Sequence, residues 1–262
     1  MFDKEEIERI SNKICILFRK DEDDFEYACQ LLTKASILAK ECEYGIAVLY
    51  FGEEKKSIFD EFNQYGADHI CLFESDEKID TGMIADTISE MIPEMKDVLL
   101  LFQANASGKE IATVLSTRFE IGLTADCVDI HTDEKNGFVF FRAAIGNSVI
   151  ADIVCEKSNV YMCTVKKGAF EKQVCPDQTD LLIQRGPVRS THMHSNLISA
   201  VESIGTRNCQ DEDIDKYDIV FGIGRGVKNE NVRQKIYEIA KKCNGVVVGT
   251  KPVIDEQWLP YS

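Results

Sequence analysis

A chain of 262 residues with 44% apolar content can bury a full hydrophobic core, which argues against wholesale disorder. Its formal charge of −15 and pI near 4.8 create a field that repels phosphate backbones, so nucleic-acid binding is not expected. No apolar run approaches the length of a membrane span, and the opening "MFDKEEIERISNK" is too acidic and polar for a signal peptide, so a cytoplasmic protein is the expectation.

In chain order, "KICILF" (13–18) is an apolar strand that ends in the polar turn "RKDEDD". Phe25, Ala28, Leu31, Leu32, Ala35 and Leu38 follow with the helical period, and Asp23 or Asp24 is placed to cap that helix. "GIAVLYF" (45–51) is the next strand. "KSIFDEFNQYG" reads as a helix that Gly66 can end in a left-handed turn. "HICLF" (69–73), a helix near 81–93 and "DVLLLF" (97–102) repeat the pattern. "NASGKE" (105–110) lacks the lysine-serine or lysine-threonine pair of a phosphate-binding P-loop. Ser107 and Glu110 have the spacing of a capping box that opens a further helix. Short, wholly apolar strands that alternate with amphipathic helices predict a parallel sheet covered on both faces.

The rhythm changes after residue 121. "LTADCVDIHT", "GFVFFRAAIG", "SVIADIVC" and "VYMCTVKKG" are strand-like, with no helix between them, and Asn136-Gly137 marks a hairpin turn. These runs predict an antiparallel extension of the sheet. Residues 175–216 show weak periodicity and read as an excursion and linker. The closing stretch then has a strand at 219–221, a helix from near Asn229 and a second strand at 246–248. Val232, Ile236, Ile239 and Ala240 share one face of that helix, expected to point to the core, and Asn244-Gly245 stops it. The fold class expected is α/β: a three-layer parallel sheet with helices on both faces and an antiparallel extension (residues 1–205), plus the first βαβ part of a second doubly wound domain (206–262).

Ten cysteines are scattered, with no C-x-x-C pair, and most sit inside apolar runs. They read as reduced core residues rather than as metal ligands or disulfides. His192 and His194 do not complete a zinc site by themselves. No Ser-His-Asp or Cys-His arrangement has a catalytic spacing. "GIGRGV" (222–227) joins a strand to a helix, yet it is not the G-x-G-x-x-G dinucleotide fingerprint. It fits either a phosphate cradle at a helix start or a plain tight turn. Lys251 likewise fits either a cofactor-facing cation or a solvated surface lysine.

"LFQANASGKEIATVLSTRFEIGLTADCVDI" brings strand, small-residue turn, helix and "GLTADC" (122–127) into one order. That stretch resembles the electron transfer flavoprotein alpha subunit. "FRAAIGN", with Arg142, Gly146 and Asn147, is similar to the family's Arg-Pro-Ala-x-Gly-Gly-Asn stretch. "IADIVC" and "MCTVKKGAFE" resemble its next two strands. "GIGRGV" resembles its Gly-Gly-Arg-Gly turn, and "GTKPVIDEQWLP" its Ser-Arg-Pro-x-Val-Asp-x-Gly-Trp segment. The resemblance runs from about residue 13 to the last residue.

This resemblance implies an N-terminal α/β domain that packs against an electron transfer flavoprotein beta subunit, and a second domain that holds FAD. Gly224, Arg225, Gly226, Thr250 and Lys251 are then the candidate cofactor-binding residues. It further implies a redox carrier rather than an enzyme with its own substrate. Such a carrier takes electrons from acyl-CoA or similar dehydrogenases in fatty acid β-oxidation, or takes part in electron bifurcation. The sequence departs from the pattern at Ile223, where a glycine is usual, at Thr250, where serine is usual, and at Lys251, where arginine is usual. The family's Gly-Gln-Thr-Gly-Lys and Gly-Ile-Ser-Gly-Ala stretches, expected after "WLPYS", do not occur in these residues. Two other readings stay open: a cofactor-free module that binds a beta-type partner, and an adenine-nucleotide-binding α/β protein.

Overall fold

The computed structural model describes residues 7–190 and 214–259, apart from 22, 134, 136, 145–148, 156–157 and 177–178. The chain divides into two compact units, residues 1–198 and 199–262.

In the first unit β1 (Lys13–Arg19), β2 (Gly45–Phe51), β3 (His69–Glu74) and β4 (Val98–Gln103) alternate with α1 (Phe25–Cys42), α2 (Lys56–Gln64), α3 (Thr81–Met91) and α4 (Ala106–Phe119). They are followed by β5 (Leu123–Asp133), β6 (Gly137–Ala144), β7 (Val149–Val154), β8 (Val160–Val165) and β9 (Leu182–Pro187). All nine strands form one sheet in the order β7-β6-β5-β8-β4-β1-β2-β3-β9. Neighbours from β5 to β9 pair parallel, while β6 and β7 pair antiparallel.

Alternation along each strand sends side chains to both faces. Ile14, Ile16 and Phe18 pack with Leu31, Leu32, Phe59 and Phe62 of α1 and α2. Cys15 and Leu17 pack with Ile84, Ile88, Ile111 and Leu115 of α3 and α4. Both faces are thus covered, and the sheet is the middle of three layers, as the alternating pattern predicts. The helix starts are polar. Asp24 accepts from the Tyr27 N–H (3.2 Å), and Asp80 accepts from the Met83 N–H (2.8 Å). Gly66, just beyond α2, has a positive φ of 103°.

The structure corrects three of the local expectations here. β8 is not part of the antiparallel extension. It returns parallel between β4 and β5, pairing Val98–Gln103 on one side and Leu123–Cys127 on the other. Its six residues are all buried, which suits a strand covered on both faces, whereas four of the six β7 residues are exposed. Within the stretch 175–216, read as excursion and linker, β9 adds a parallel edge strand beside β3. Third, Asn105, not Ser107, caps α4. Its side chain accepts from the Gly108 N–H at 2.7 Å, and the helix begins one residue before Ser107.

The "GLTADC" stretch acts as a hinge in β5. Asp126 has a φ of 58°, and the register shifts on both sides of Cys127. Before this bulge β5 follows β8; after it β5 pairs antiparallel with β6. Arg142 lies on β6 opposite Cys127; Gly146, Asn147 and Asn136 lie outside the described residues.

Nine cysteines are described as free thiols, six of them buried, and burial pushes the Cys15 thiol up to about 12. No helix among the described residues is long and apolar enough to cross a membrane.

The second unit contains β10 (Ile219–Ile223), α5 (Glu230–Lys242), β11 (Gly245–Gly249) and α6 (Lys251–Asp255). The short helix α6 adds to the two strands and one helix expected. Asn229 caps α5, and Asn244 leaves it with a φ of 49°. The apolar face of α5 is only partly covered, contrary to the expectation of a core-facing stripe. Ala240 is buried and Ile236 packs on the small core, but Val232 and Ile239 are exposed. A sheet of two strands is too narrow to cover a three-turn helix face.

Candidate cofactor site

β10 and β11 run parallel, with Ile219 opposite Gly245 and Ile223 opposite Gly249, so their carboxyl ends lie level. The Thr250 N–H donates to the Ile223 carbonyl at 3.1 Å and ties the two ends together. Gly224, Arg225 and Gly226 follow one strand, Thr250 and Lys251 the other. All five therefore occupy the edge at which α/β sheets hold ligands.

The glycines of the first turn have no explanation in the packing of the described residues. A Cβ on Gly222, Gly224 or Gly226 meets nothing within 4 Å, and none of the three has a positive φ. Within β11 the reason is plain: a Cβ on Gly245 meets the Phe221 ring at 2.8 Å, and one on Gly249 meets Leu259 at 2.6 Å. Bare backbone that faces open space, just before a helix start, suits an anion that approaches closely.

Arg225, Thr250 and Lys251 are exposed. The Arg225 Nε lies 3.0 Å from Glu256 Oε1. Arg233, one turn into α5, donates from Nη1 to the carbonyls of Val227 (3.0 Å) and Lys228 (2.8 Å), and its guanidinium lies 4.6 Å from the Trp258 ring centroid. This one side chain fixes the exit of the glycine turn and clamps it to the segment after α6. Gln257 has a φ of 56° at the place of the glycine in the family's Val-Asp-x-Gly-Trp segment. Sequence reasoning missed Arg233 and Glu256. The only signal for Arg233 was its place in the first turn of a helix, where a long side chain leans back over the preceding loop.

The first unit has a cleft of about 490 Å³ over the carboxyl ends of β4 and β8, beside the point between β1 and β4 where the strand order reverses. Its floor is already hydrogen-bonded. The Tyr27 hydroxyl donates to the Val165 carbonyl and accepts from the Ala104 N–H (3.0 Å), and burial pushes it up to about 12. Gln103 exchanges two bonds with the Asp24 backbone, at 3.2 and 2.9 Å. Asn105 donates to Asp23 (2.9 Å) while it caps α4. At the rim, Lys109 pairs with Asp126 (2.7 Å) and Lys167 with Asp24 (2.6 Å). Burial pushes the Asp24 carboxyl up, yet Lys167 and the Tyr27 N–H outweigh it and hold the group below its ordinary value. Here the groups that would read a nucleotide are turned on one another.

Among the described residues no cluster of His, Cys, Asp or Glu could hold a metal ion. His192 and His194 lie outside those residues.

Comparison with known proteins agrees with this architecture. The electron transfer flavoprotein domain family matches residues 21–188, and the electron transfer flavoprotein FAD-binding domain family matches residues 213–262. The chain is 27% identical to lactate dehydrogenase (NAD(+),ferredoxin) subunit LctC of Acetobacterium woodii, over 87% of this chain and 54% of that protein. It is 24% identical to the electron transfer flavoprotein subunit alpha of Clostridium acetobutylicum, over 92% of this chain and 73% of that protein. Against the same subunit of Thermoanaerobacterium thermosaccharolyticum, identity is 26% over 88% of this chain and 70% of that protein. The chain belongs to the electron transfer flavoprotein family and is of the alpha-subunit type. The matched segment spans about half of the first of these relatives and under three quarters of the other two.

The second unit fits FAD on chemical grounds. The cofactor's two phosphates need backbone that can be approached and positive charge; the open glycine turn offers the first, Arg225 and Lys251 the second.

Proposed function

We propose that this chain is an electron carrier that works with FAD and a beta-type partner, with no substrate of its own. The observation that carries the reading is the glycine turn at 222–226, which packing does not explain and which lies level with Lys251. Residues 1–205 would be the partner-binding α/β domain, and 206–262 would belong to the FAD-binding domain. Gly224 and Gly226 leave the backbone open to the cofactor. Arg225 presents a planar fork to an anionic group. Thr250 sets the height of the second strand end, and Lys251 supplies a point charge that favours an electron-rich cofactor. Bound FAD would supply the redox chemistry, accepting and releasing electrons.

The beta-type partner is supported by the edge strand β7, where Val149, Ile150 and Val154 are exposed. One relative is named a lactate dehydrogenase subunit that works with NAD and ferredoxin, which supports dehydrogenases as donors. Acyl-CoA dehydrogenases of fatty acid β-oxidation are the class that the family resemblance adds. Nine free thiols and no disulfide among the described residues support a cytoplasmic setting.

The test is co-expression with a beta-type electron transfer flavoprotein chain, followed by the visible spectrum of the purified complex. Flavin absorbance at one FAD per complex supports the reading; a colourless complex that binds no added FAD refutes it. Alone, the 262-residue polypeptide is expected to bind FAD more weakly than about micromolar. In its second unit all the candidate residues lie along one strand edge, whereas a ligand of this size needs most of its surface covered.

A further inference from the structure

Within the second unit we infer that Glu256 tunes the affinity of the cofactor site: its carboxylate offsets the charge of Arg225 and weakens the hold of the glycine turn on anionic cofactor groups. This inference rests on the proposed FAD site and concerns how that site is tuned.

Arg225 is the cation of the glycine turn, and its side chain is 70% exposed. It would be a free anion receptor but for Glu256, which reaches across from the end of α6 to lie 3.0 Å from its Nε. The contact depends on the fold rather than on local sequence. Thr250 N–H bonds to Ile223 and sets where α6 starts, and the Trp258 N–H donates to the Val253 carbonyl at 3.0 Å, turning the chain back after α6. Glu256 falls on that return.

In the Ser-Arg-Pro-x-Val-Asp-x-Gly-Trp pattern, Glu256 occupies the second unspecified position, so the backbone does not require a carboxylate there. Its neighbour Gln257 accepts a φ of 56°, so this return persists without the pattern's glycine. Glu256 therefore changes the charge of the site without changing its frame. An exposed pair contributes little to stability. To an incoming phosphate, however, the same carboxylate both competes for the guanidinium and repels the negative charge directly. Screening by water and salt limits the combined effect to about fivefold in the dissociation constant at low ionic strength.

The experiment uses the full chain in complex with its beta-type partner. After removal of bound flavin, FAD is titrated into the wild type, Glu256→Gln and Glu256→Asp, at about 20 mM and about 0.5 M NaCl. Glu256→Gln is expected to bind FAD about fivefold more tightly than wild type at low salt, with the gain shrinking below about twofold at high salt. Glu256→Asp, which keeps the charge, stays close to wild type. A merely structural glutamate would give a salt-independent change, or a loss of affinity in both variants, and either result overturns the inference. Equal affinities in all three chains overturn it as well. If none of the three binds FAD at all, the proposed function fails and the inference fails with it.

Discussion

Two strand-to-helix turns in this molecule look alike in sequence and differ in purpose. The β4–α4 junction, "QANASG", and the β10–α5 junction, "GIGRGV", both place small residues where a parallel strand's carboxyl end passes into a helix. In the first, a Cβ on Gly108 would lie 2.1 Å from the Gln103 carbonyl, and the helix-start N–H is held by Asn105. That glycine lets the helix press against the sheet. In the second, a Cβ on Gly224 or Gly226 meets nothing within 4 Å. There the backbone is bare and open, with no neighbour among the described residues that a side chain would displace. The comparison separates a turn closed on itself from a turn open to a ligand, a distinction that counting glycines does not make.

The sharpest way to break the comparison is to add one methyl group to each turn. Gly108→Ala drives a Cβ into a backbone carbonyl and is expected to cost about 3 kcal/mol. In a unit of this size that lowers the melting temperature by roughly 6–12 °C in calorimetry. Gly224→Ala and Gly226→Ala should move melting by no more than about 0.5 kcal/mol while weakening FAD binding at least tenfold in a fluorescence titration. If Gly108→Ala melts like wild type, the packing role assigned to that turn is wrong. If the other two bind FAD normally, the open turn does not touch the cofactor.

A second contrast between the units is their response to acid. His69 is buried in β3, and burial, with Lys13 nearby, pulls it down from 6.5 to about 4. The folded state therefore holds this histidine neutral while the unfolded chain protonates it. The first unit loses up to about 3 kcal/mol as pH falls from 6.5 to about 4. The second unit has no histidine and lacks this term. Urea unfolding across that window should show the slope in wild type and a shallower one in His69→Gln.

Asn105→Ala is expected to cost about 1–2 kcal/mol, since it removes the cap on α4 and a donor to Asp23. Ser107→Ala should cost under about 0.5 kcal/mol. Equal losses from the two substitutions would restore Ser107 as the cap. Lys251→Ala should lower the two-electron potential of bound flavin by on the order of 1 kcal/mol, or about 20 mV, in a spectroelectrochemical titration. No shift would show that Lys251 faces away from the flavin.

The alternation of "KICILF", "GIAVLYF", "HICLF" and "DVLLLF" with amphipathic helices made the three layers legible, because local periodicity reports which face an element buries. β8 was misplaced because its neighbours are remote in sequence. "VYMCTV" follows a hairpin, yet its partners are Val98–Gln103 and Leu123–Cys127. Its unbroken apolar run did carry the signal of a strand covered on both sides. β9, "LIQRGP", alternates poorly because it is an edge strand with one neighbour. At the candidate site, the strand–turn–helix order and the cations were readable. The Arg225–Glu256 pair was not, because it depends on the level at which β11 ends and on the return of the chain after α6.

The return of β8 to the middle of the sheet also bears on how the molecule is made. During synthesis the apolar edge of β4 has β1 on one side and nothing on the other until residues 160–165 emerge. At typical rates of about 5–20 residues per second, that interval lasts several seconds. β5, β6 and β7 emerge within it, before β8, and can dock against β4 in the place reserved for β8. An emerging chain of this topology therefore carries an open, sticky strand edge until residues well downstream of β4 close it.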